Sequence, residues 1–448
     1  MRLKFILIII IGVILSCIIM GGLYTLPSVR SQVVWHVDNQ ITRFKRILNP
    51  PEKIVFQPEE QTQPNTVEVI VKATLAWLSP YSTPTRSEIT TQTSEIAIST
   101  QSPTTQSIPS ATPTATALPT DIPEKVVLPG ITHEYQNFNN CGPANLSMAL
   151  SFWGWQGNQN VTRAFLRPNL EIDDKNVMPA EMVQFVETQT HLKAISLVGG
   201  TNQRIKELIA AGFPVLVEAG HHPIDDWWMG HYIVINGYDD QKQVYISQDS
   251  LISPDLPIPY DDLEQKWWRD FNRIYIVIYP PEREADLFKI IGEDHDPLTN
   301  YQKAAQRAQE EILLLQGRDL FFAYFNLGTN LVGLEDYPSA AQAFDQAFNI
   351  YQTLSEDMRP YRVMWYQTGP YQAYYYTGRY QDVINLANTT FTWVGKFTLE
   401  ESFYWRGLAY AALGDMNQAQ SDLTRAVELN PNFEAALEAL QNLGISAP

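Results

Sequence analysis

The sequence predicts two folded parts behind an apolar amino-terminal run: an α+β domain over residues 124–282 and an all-α repeat array over 298–448. Three observations lead there. Between 124 and 282, helical spacing of apolar residues gives way to short runs rich in Val, Ile and Tyr, the order expected of helices followed by a largely antiparallel sheet. Beyond 298 the pattern is helical and recurs at about 34 residues. Ahead of both, residues 5–24, "FILIIIIGVILSCIIMGGLY", carry no charge.

The chain has 448 residues, of which 45% are apolar and 12% aromatic, enough to bury more than one core. Its formal net charge of −18 argues against a nucleic-acid partner, whose phosphates call for a basic face. The acidity names no partner by itself.

At about 1.5 Å per residue, the run 5–24 matches the roughly 30 Å hydrocarbon core of a bilayer. It is too long for a signal-peptide core and lacks a clear A-x-A cleavage site. Arg2 and Lys4 suit a cytoplasmic amino end, although Arg30, Arg43, Lys45 and Arg46 on the far side weaken the charge rule. The expectation is one transmembrane anchor within 1–30, in the cell membrane, with everything after it outside the cytoplasm. Cys17, in "ILSC", loosely resembles a lipoprotein box. Because the apolar run continues past it, we read it as a membrane-buried small residue, with lipoprotein anchoring as the alternative.

Residues 31–78 form a juxtamembrane segment. Val33, Val34, Ile41, Phe44 and Ile47 indicate a short helix over 31–48, stopped by Pro50 and Pro51. Residues 79–123 are dominated by Ser, Thr and Pro and hold too little apolar surface to offset the entropy of ordering, which predicts a disordered stalk. Its expected role is distance from the membrane.

In the α+β domain, "NNCGPANLSMALSFWGW" opens a helix on which Leu146, Ala149, Leu150 and Trp153 share one face. A second helix is expected from Pro179 to Glu187, a strand at "LKAISLV", and a helix at "NQRIKELIAAG" ended by Gly212. Strand-like runs follow at "FPVLVEA", "HYIVINGY", "QVYISQ" and "RIYIVIY". Only two cysteines exist, so Cys141 is the one thiol of the aqueous part and forms no disulfide there.

An unpaired thiol facing an oxidising space is a liability unless buried or used. Cys141 falls at a helix start, where Gly142 permits a tight entry and Pro143 costs no hydrogen bond. Unpaired amides and the macrodipole there favour an anion, so the site lowers the thiol pKa. His231 opens the strand "HYIVINGY" and Asp249 ends the next. If those strands pair, His231 and Asp249 share one end of the hairpin, and the carboxylate can fix the imidazole tautomer while the other ring nitrogen faces the sulfur. Asp239 and Asp240 are the alternatives to Asp249.

"QNFNNCGPANLSMAL", "GHYIVINGYDD" and "VYISQDS" together resemble the papain-like fold of the double-glycine leader peptidase group and its relatives. The resemblance covers about 124–282 and implies a cysteine peptidase. In it, Cys141 is the nucleophile, His231 the general base and acid, Asp249 the orienting carboxylate, and Gln136 an oxyanion donor. No transporter bundle or ATP-binding cassette follows, so export-coupled leader processing is not implied.

"GHHPIDDWWMGH" also offers His221, His222, Asp225 and His231 as metal ligands, but adjacent strand residues point to opposite faces and no ligand spacing is recognisable. No metal or cofactor is expected. Trp227 and Trp228 either wall the cleft or cover the core.

In the repeat region, Gly407, Tyr410, Gly414, Ala419, Leu423, Ala426, Leu429 and Pro431 place a tetratricopeptide-like unit at 400–433. A second lies at 321–354, and a degenerate one between them keeps Gly378 and Tyr380 but has Val383 and Thr390 where alanines are usual. Such arrays bind protein partners on a concave face. The expectation is a membrane-anchored extracytoplasmic cysteine peptidase acting on a peptide or protein, with repeats that bind a protein partner. The alternatives are a non-catalytic peptide-binding scaffold and an acyltransferase using the same three groups.

Overall fold

The computed structural model describes residues 54–59, 122–169, 176–221, 228–394 and 398–445, with a few helical positions between 33 and 44. The expected membrane helix (5–24) and the Ser/Thr/Pro-rich stretch (79–121) lie outside the described residues. Among the described residues, no helix is long and apolar enough to cross a membrane.

Seven antiparallel strands form one sheet: β1 (Lys125–Val127), β2 (Lys193–Leu197), β3 (Val215–His221), β4 (Met229–Asp239), β5 (Val244–Gln248), β6 (Leu256–Pro259) and β7 (Tyr275–Tyr279). Their order is β2-β7-β3-β4-β5-β6, with β1 pairing the far end of β4. The four late apolar runs of the sequence are β3, β4, β5 and β7; β3, β4 and β7 are buried at successive residues, as near-continuous Val, Ile and Tyr runs suit a sheet covered on both faces. β1 and β6 escaped the sequence pattern. β6 carries Pro257 and Pro259, which an edge strand tolerates because half of its backbone groups need no partner.

Helices α1 (Cys141–Phe152), α2 (Gln159–Leu166) and α3 (Pro179–Gln189) precede the sheet strands that they cover. Leu146 and Leu150 of α1, Met182 and Val186 of α3, and Leu216, Val234 and Ile276 of the sheet close one core. The helix expected at Pro179–Glu187 runs two residues further, and α2 was not anticipated. It begins where the Asn158 side chain accepts the Asn160 N–H at 2.9 Å, an N-cap too local to stand out as a pattern. Helix α4 (Asn202–Ala210) ends before Gly212, which takes the left-handed φ of 88° that stops the helix.

After α5 (Glu284–Ile291) come α6 (Pro297–Ile312), α7 (Gly317–Gly333), α8 (Tyr337–Thr353), α9 (Gly369–Tyr376), α10 (Tyr380–Val394), α11 (Glu400–Ala412), α12 (Met416–Leu429) and α13 (Glu434–Asn442). The pair α11–α12 is the clearest repeat, and its close approach requires a small residue. A Cβ on Gly407 would stand 2.9 Å from Leu423. The degenerate unit still forms. Thr390 is buried, and its hydroxyl is satisfied by the Leu386 carbonyl at 2.8 Å and by the Tyr371 hydroxyl at 3.1 Å.

The α+β part and the repeats belong to one compact unit. Asn272, in the turn before β7, exchanges side-chain hydrogen bonds with Asn330 of α7 at 2.6 and 3.1 Å. Arg273 pairs with Glu311 of α6, and Asn300 of α6 takes both the N–H and the C=O of Val198. Helices of the repeat region are therefore fastened to the turn before β7 and to the segment just after β2.

Candidate active site

Cys141 is the first residue of α1, and the loop that delivers it is held from two sides. Gln159, at the start of α2, accepts the Asn137 N–H and the Asn140 side-chain N–H, both at 2.8 Å, and donates to the Tyr135 carbonyl at 2.8 Å. Arg167 donates to the Asn139 carbonyl at 2.7 Å. Asn139 takes a left-handed φ of 51°, a conformation that asparagine tolerates better than most residues. This bracing aims the partly buried Cys141 side chain at the sheet.

His231 sits near the start of β4 and Asp249 just past the end of β5. Val234 pairs with Gln248 in the hairpin, so the two side chains meet at one end. His231 Nε2 lies 3.0 Å from Asp249 Oδ1, both residues buried. Asp249 Oδ1 also accepts the N–H groups of Leu251 and Ile252, at 2.8 and 3.1 Å. With Nε2 committed to the carboxylate, the remaining ring nitrogen is left for the Cys141 sulfur, and the nearby ring draws the thiol pKa down. The structure thus brings Cys141, His231 and Asp249 to the same end of the sheet.

The alternatives Asp239 and Asp240 are at the other end of β4. Asp239 pairs with Lys125 at 3.0 Å, and Asp240 with Lys206 at 3.1 Å and the Tyr260 hydroxyl at 2.7 Å.

The electrostatics follow from this geometry. Burial pushes the Cys141 thiol up, but the bond to His231, its charge, and the N–H groups of Tyr232 and Gly142 together bring it below its ordinary value. Burial pulls His231 down, but the Asp249 carboxylate outweighs this, and with the sulfur it drives the ring up to about 10. Burial raises Asp249, and the His231 charge with the two backbone donors more than offsets it, leaving the carboxyl below its usual range. The arrangement favours a thiolate beside an imidazolium.

Gln136 lies in the loop before α1. Its Oε1 accepts the Ser250 hydroxyl at 2.8 Å, and its backbone N–H donates to the Ser250 carbonyl at 2.8 Å. Its amide NH2 therefore remains as the donor end. Ser250 follows Asp249 directly and also accepts from Asn145 Nδ2 at 2.8 Å. The two amide hydrogens of Asn145 also serve the carbonyls of Tyr232, at 2.7 Å, and Cys141, at 3.0 Å, so one hydrogen is shared between acceptors. Asn145 thus joins the cysteine helix, the histidine strand and the segment after Asp249 through one buried side chain. Sequence reasoning missed Asn145 and Ser250. The available signal was polarity, an Asn four residues after Cys141 on a helix whose other polar residues are Ser147 and Ser151.

Glu218 was missed too. It sits opposite Tyr232 in the β3–β4 pairing, is 1% exposed, and is held well above the carboxylate range by burial. Tyr232 itself donates to the Val177 carbonyl at 2.9 Å.

His222, Asp225 and Trp227 lie outside the described residues. The His221 and His231 rings are tilted to one another, with centroids 5.6 Å apart. Among the described residues, no group of three or more His, Cys, Asp or Glu is placed to hold a metal ion. Trp228 covers core rather than solvent. It is 3% exposed, stacks on Phe271 at 5.5 Å, and touches Phe322 and Tyr366 of the repeat region. Next to His231, a Cβ on Gly230 would fall 2.7 Å from Phe271 and 2.9 Å from Tyr366, so only glycine lets the strand pass the repeats there.

Residues 129–275 match the model of the Peptidase_C39 like family, and residues 400–433 match that of the tetratricopeptide repeat. None of the curated proteins matches the chain. Among solved structures, a Bacillus anthracis protein described as a C39-like peptidase is 19% identical, over 34% of this chain and 96% of that one, with a TM-score of 0.30. The chain therefore joins a segment similar to the Peptidase_C39 like family to a helical region that carries a tetratricopeptide repeat.

Proposed function

We propose that the chain is a cysteine peptidase that cleaves a peptide bond by acyl transfer through Cys141. The observation that carries this reading is the buried His231–Asp249 contact of 3.0 Å beside Cys141, whose thiol the ring draws below its ordinary pKa. The thiolate attacks the scissile carbonyl, forming a C–S bond while the carbonyl π electrons move to oxygen. The oxyanion forms beside the backbone N–H at the start of α1 and the Gln136 amide, which is what preorganised donors require. His231 gives its proton to the leaving nitrogen as the C–N bond breaks. It then takes a proton from water, and the hydroxide so formed cleaves the thioester to release the acid. Asp249 does not titrate in the cycle; it orients the ring and stabilises the imidazolium.

The same reading places the chain in the cell membrane through one span at residues 5–24, with the folded unit outside the cytoplasm. The uncharged apolar run supports it. The repeats serve a protein partner, as their likeness to the tetratricopeptide repeat suggests.

The test compares wild type with Cys141→Ala and Cys141→Ser on a library of unstructured peptides, with near-ultraviolet circular dichroism as the folding control. Wild type is expected to cleave and to be labelled by an epoxide electrophile. Both variants should stay folded and lose cleavage and label together. Cleavage undiminished in Cys141→Ala would end the proposal.

A further inference from the structure

One part of the folded unit belongs to neither domain. Residues 54–59, "IVFQPE", arrive from the amino-terminal side in neither helix nor strand, yet they are packed into the repeat array. Phe56 is 2% exposed, its ring edge-on to Phe348 of α8 at 4.9 Å and tilted to Tyr374 of α9 at 6.1 Å. Val55 packs against the same core. At the other end, the Glu59 N–H donates to Asp382 Oδ1 of α10 at 3.0 Å, and Gln57 reaches Gln352 of α8 at 3.2 Å.

The receiving site is built rather than accidental. Asp382 is 2% exposed, and its other oxygen takes the Arg379 Nε–H at 2.7 Å, so one carboxylate oxygen is held ready for a main-chain donor. Arg379 in turn grips Asp345, which accepts the Tyr374 hydroxyl at 2.9 Å. An aromatic slot and a fixed acceptor therefore stand one short segment apart. Such a pair recognises a linear segment with a bulky ring and, three residues on, an available N–H. The segment fits on its own account. Pro58 biases Gln57 towards the extended region, which lowers the entropy lost on docking.

We infer that Ile54–Glu59 is a docking peptide bound in cis, which fastens the amino-terminal segment to a ring-and-carboxylate site formed by α8, α9 and α10. The inference is independent of the peptidase reading. It changes what the Ser/Thr/Pro-rich stretch does, because Glu59 and Pro123, the described residues on either side of it, both belong to the same compact unit. In chain order the stretch leaves and rejoins that unit, a covalent loop that does not stand between the unit and the apolar run. While the peptide is docked, only residues 25–53 separate the run from the folded unit, a reach of at most about 100 Å. Undocking adds the whole loop to that reach. A partner with the same two features competes for the site and lengthens the tether.

The test uses the full chain in detergent and a fluorescein-labelled peptide copying residues 51–61, followed by anisotropy. With wild type, no saturable binding is expected, since the site is filled. Phe56→Asp should empty it and bind the peptide at least tenfold more tightly, whereas a labelled peptide carrying the same change should not bind. Hydrogen exchange supplies a second readout, with the amides of 345–352 and 371–383 exchanging faster in Phe56→Asp and slowing again on adding the peptide. If Phe56→Asp loses its cooperative melting transition, Phe56→Ala and Glu59→Pro carry the same comparison, the latter leaving the ring and removing the N–H donor. Equal peptide binding by wild type and variants, or unchanged exchange in α8, α9 and α10, overturns the inference.

Discussion

The indole N–H of Trp228 donates to the Asp270 carboxylate at 2.7 Å, and the same oxygen receives Arg318 of α7. Trp228 lies three residues before His231, so a buried carboxylate links the repeats to the strand that holds the imidazole. Gln367 adds a bond to the Asp270 carbonyl at 2.6 Å.

This contact predicts a pH signature. Burial pushes Asp270 up to about 6, although Arg318 and Trp228 pull it down. Below the ordinary carboxylate pKa both folded and unfolded forms are protonated. Between that value and about 6 the folded form keeps a proton that the unfolded form has lost, so the contribution to stability falls as pH rises through this window. Asp270→Asn should flatten the melting temperature between pH 4 and 7 relative to wild type, by the equivalent of about 2–3 kcal/mol. Parallel profiles for the two proteins would remove the assignment.

Alkylation reports the Cys141–His231 pair directly. With the thiol below its ordinary value and the ring up to about 10, iodoacetamide should react with Cys141 at lower pH than with an ordinary thiol. Asp249→Ala removes the charge that sustains the imidazolium, so the thiol pKa should rise and labelling at pH 6 should fall at least tenfold. A labelling profile identical in wild type and His231→Ala would contradict the pairing.

Asn145 gives a stability prediction. Its Nδ2 serves the carbonyls of Cys141 and Tyr232 and the Ser250 hydroxyl. Asn145→Ala strands those buried acceptors and should cost about 1–3 kcal/mol in denaturant unfolding. Peptide cleavage should drop as well, because α1 and β4 lose the side chain that joins them. A variant as stable as wild type would mean that water replaces the amide without loss.

Gln136 separates binding from chemistry. Its oxygen is held by Ser250 at 2.8 Å, so Gln136→Ala should lower kcat by about 10²–10³ while KM changes little, as expected for a donor used only as the oxyanion develops. Steady-state kinetics on a cleaved peptide decide it, and a rise in KM alone would recast the residue as a substrate contact.

Cys141, His231 and Asp249 were legible because each leaves a local mark: a Gly-Pro entry to a helix, a Gly before a strand, an acid after one. The apolar runs of α1, α3 and β3–β5 were legible for the same reason, since burial imposes apolar character on neighbours in the chain. Asn145, Ser250, Glu218 and Asp270 left no such mark. Each is an ordinary polar residue whose role arises only where distant segments meet, as in the 105-residue separation of Asn145 and Ser250.

The sequence by itself indicated an α+β segment followed by helical repeats and the candidate nucleophile with its partners, because backbone geometry ties these to nearest neighbours in the chain. Tertiary structure alone decided that the repeats are packed into the domain beside His231, and that Phe56 is seated among α8 and α9. Both depend on complementary surfaces contributed by residues far apart in the chain, and burial of apolar area carries no record of sequence distance.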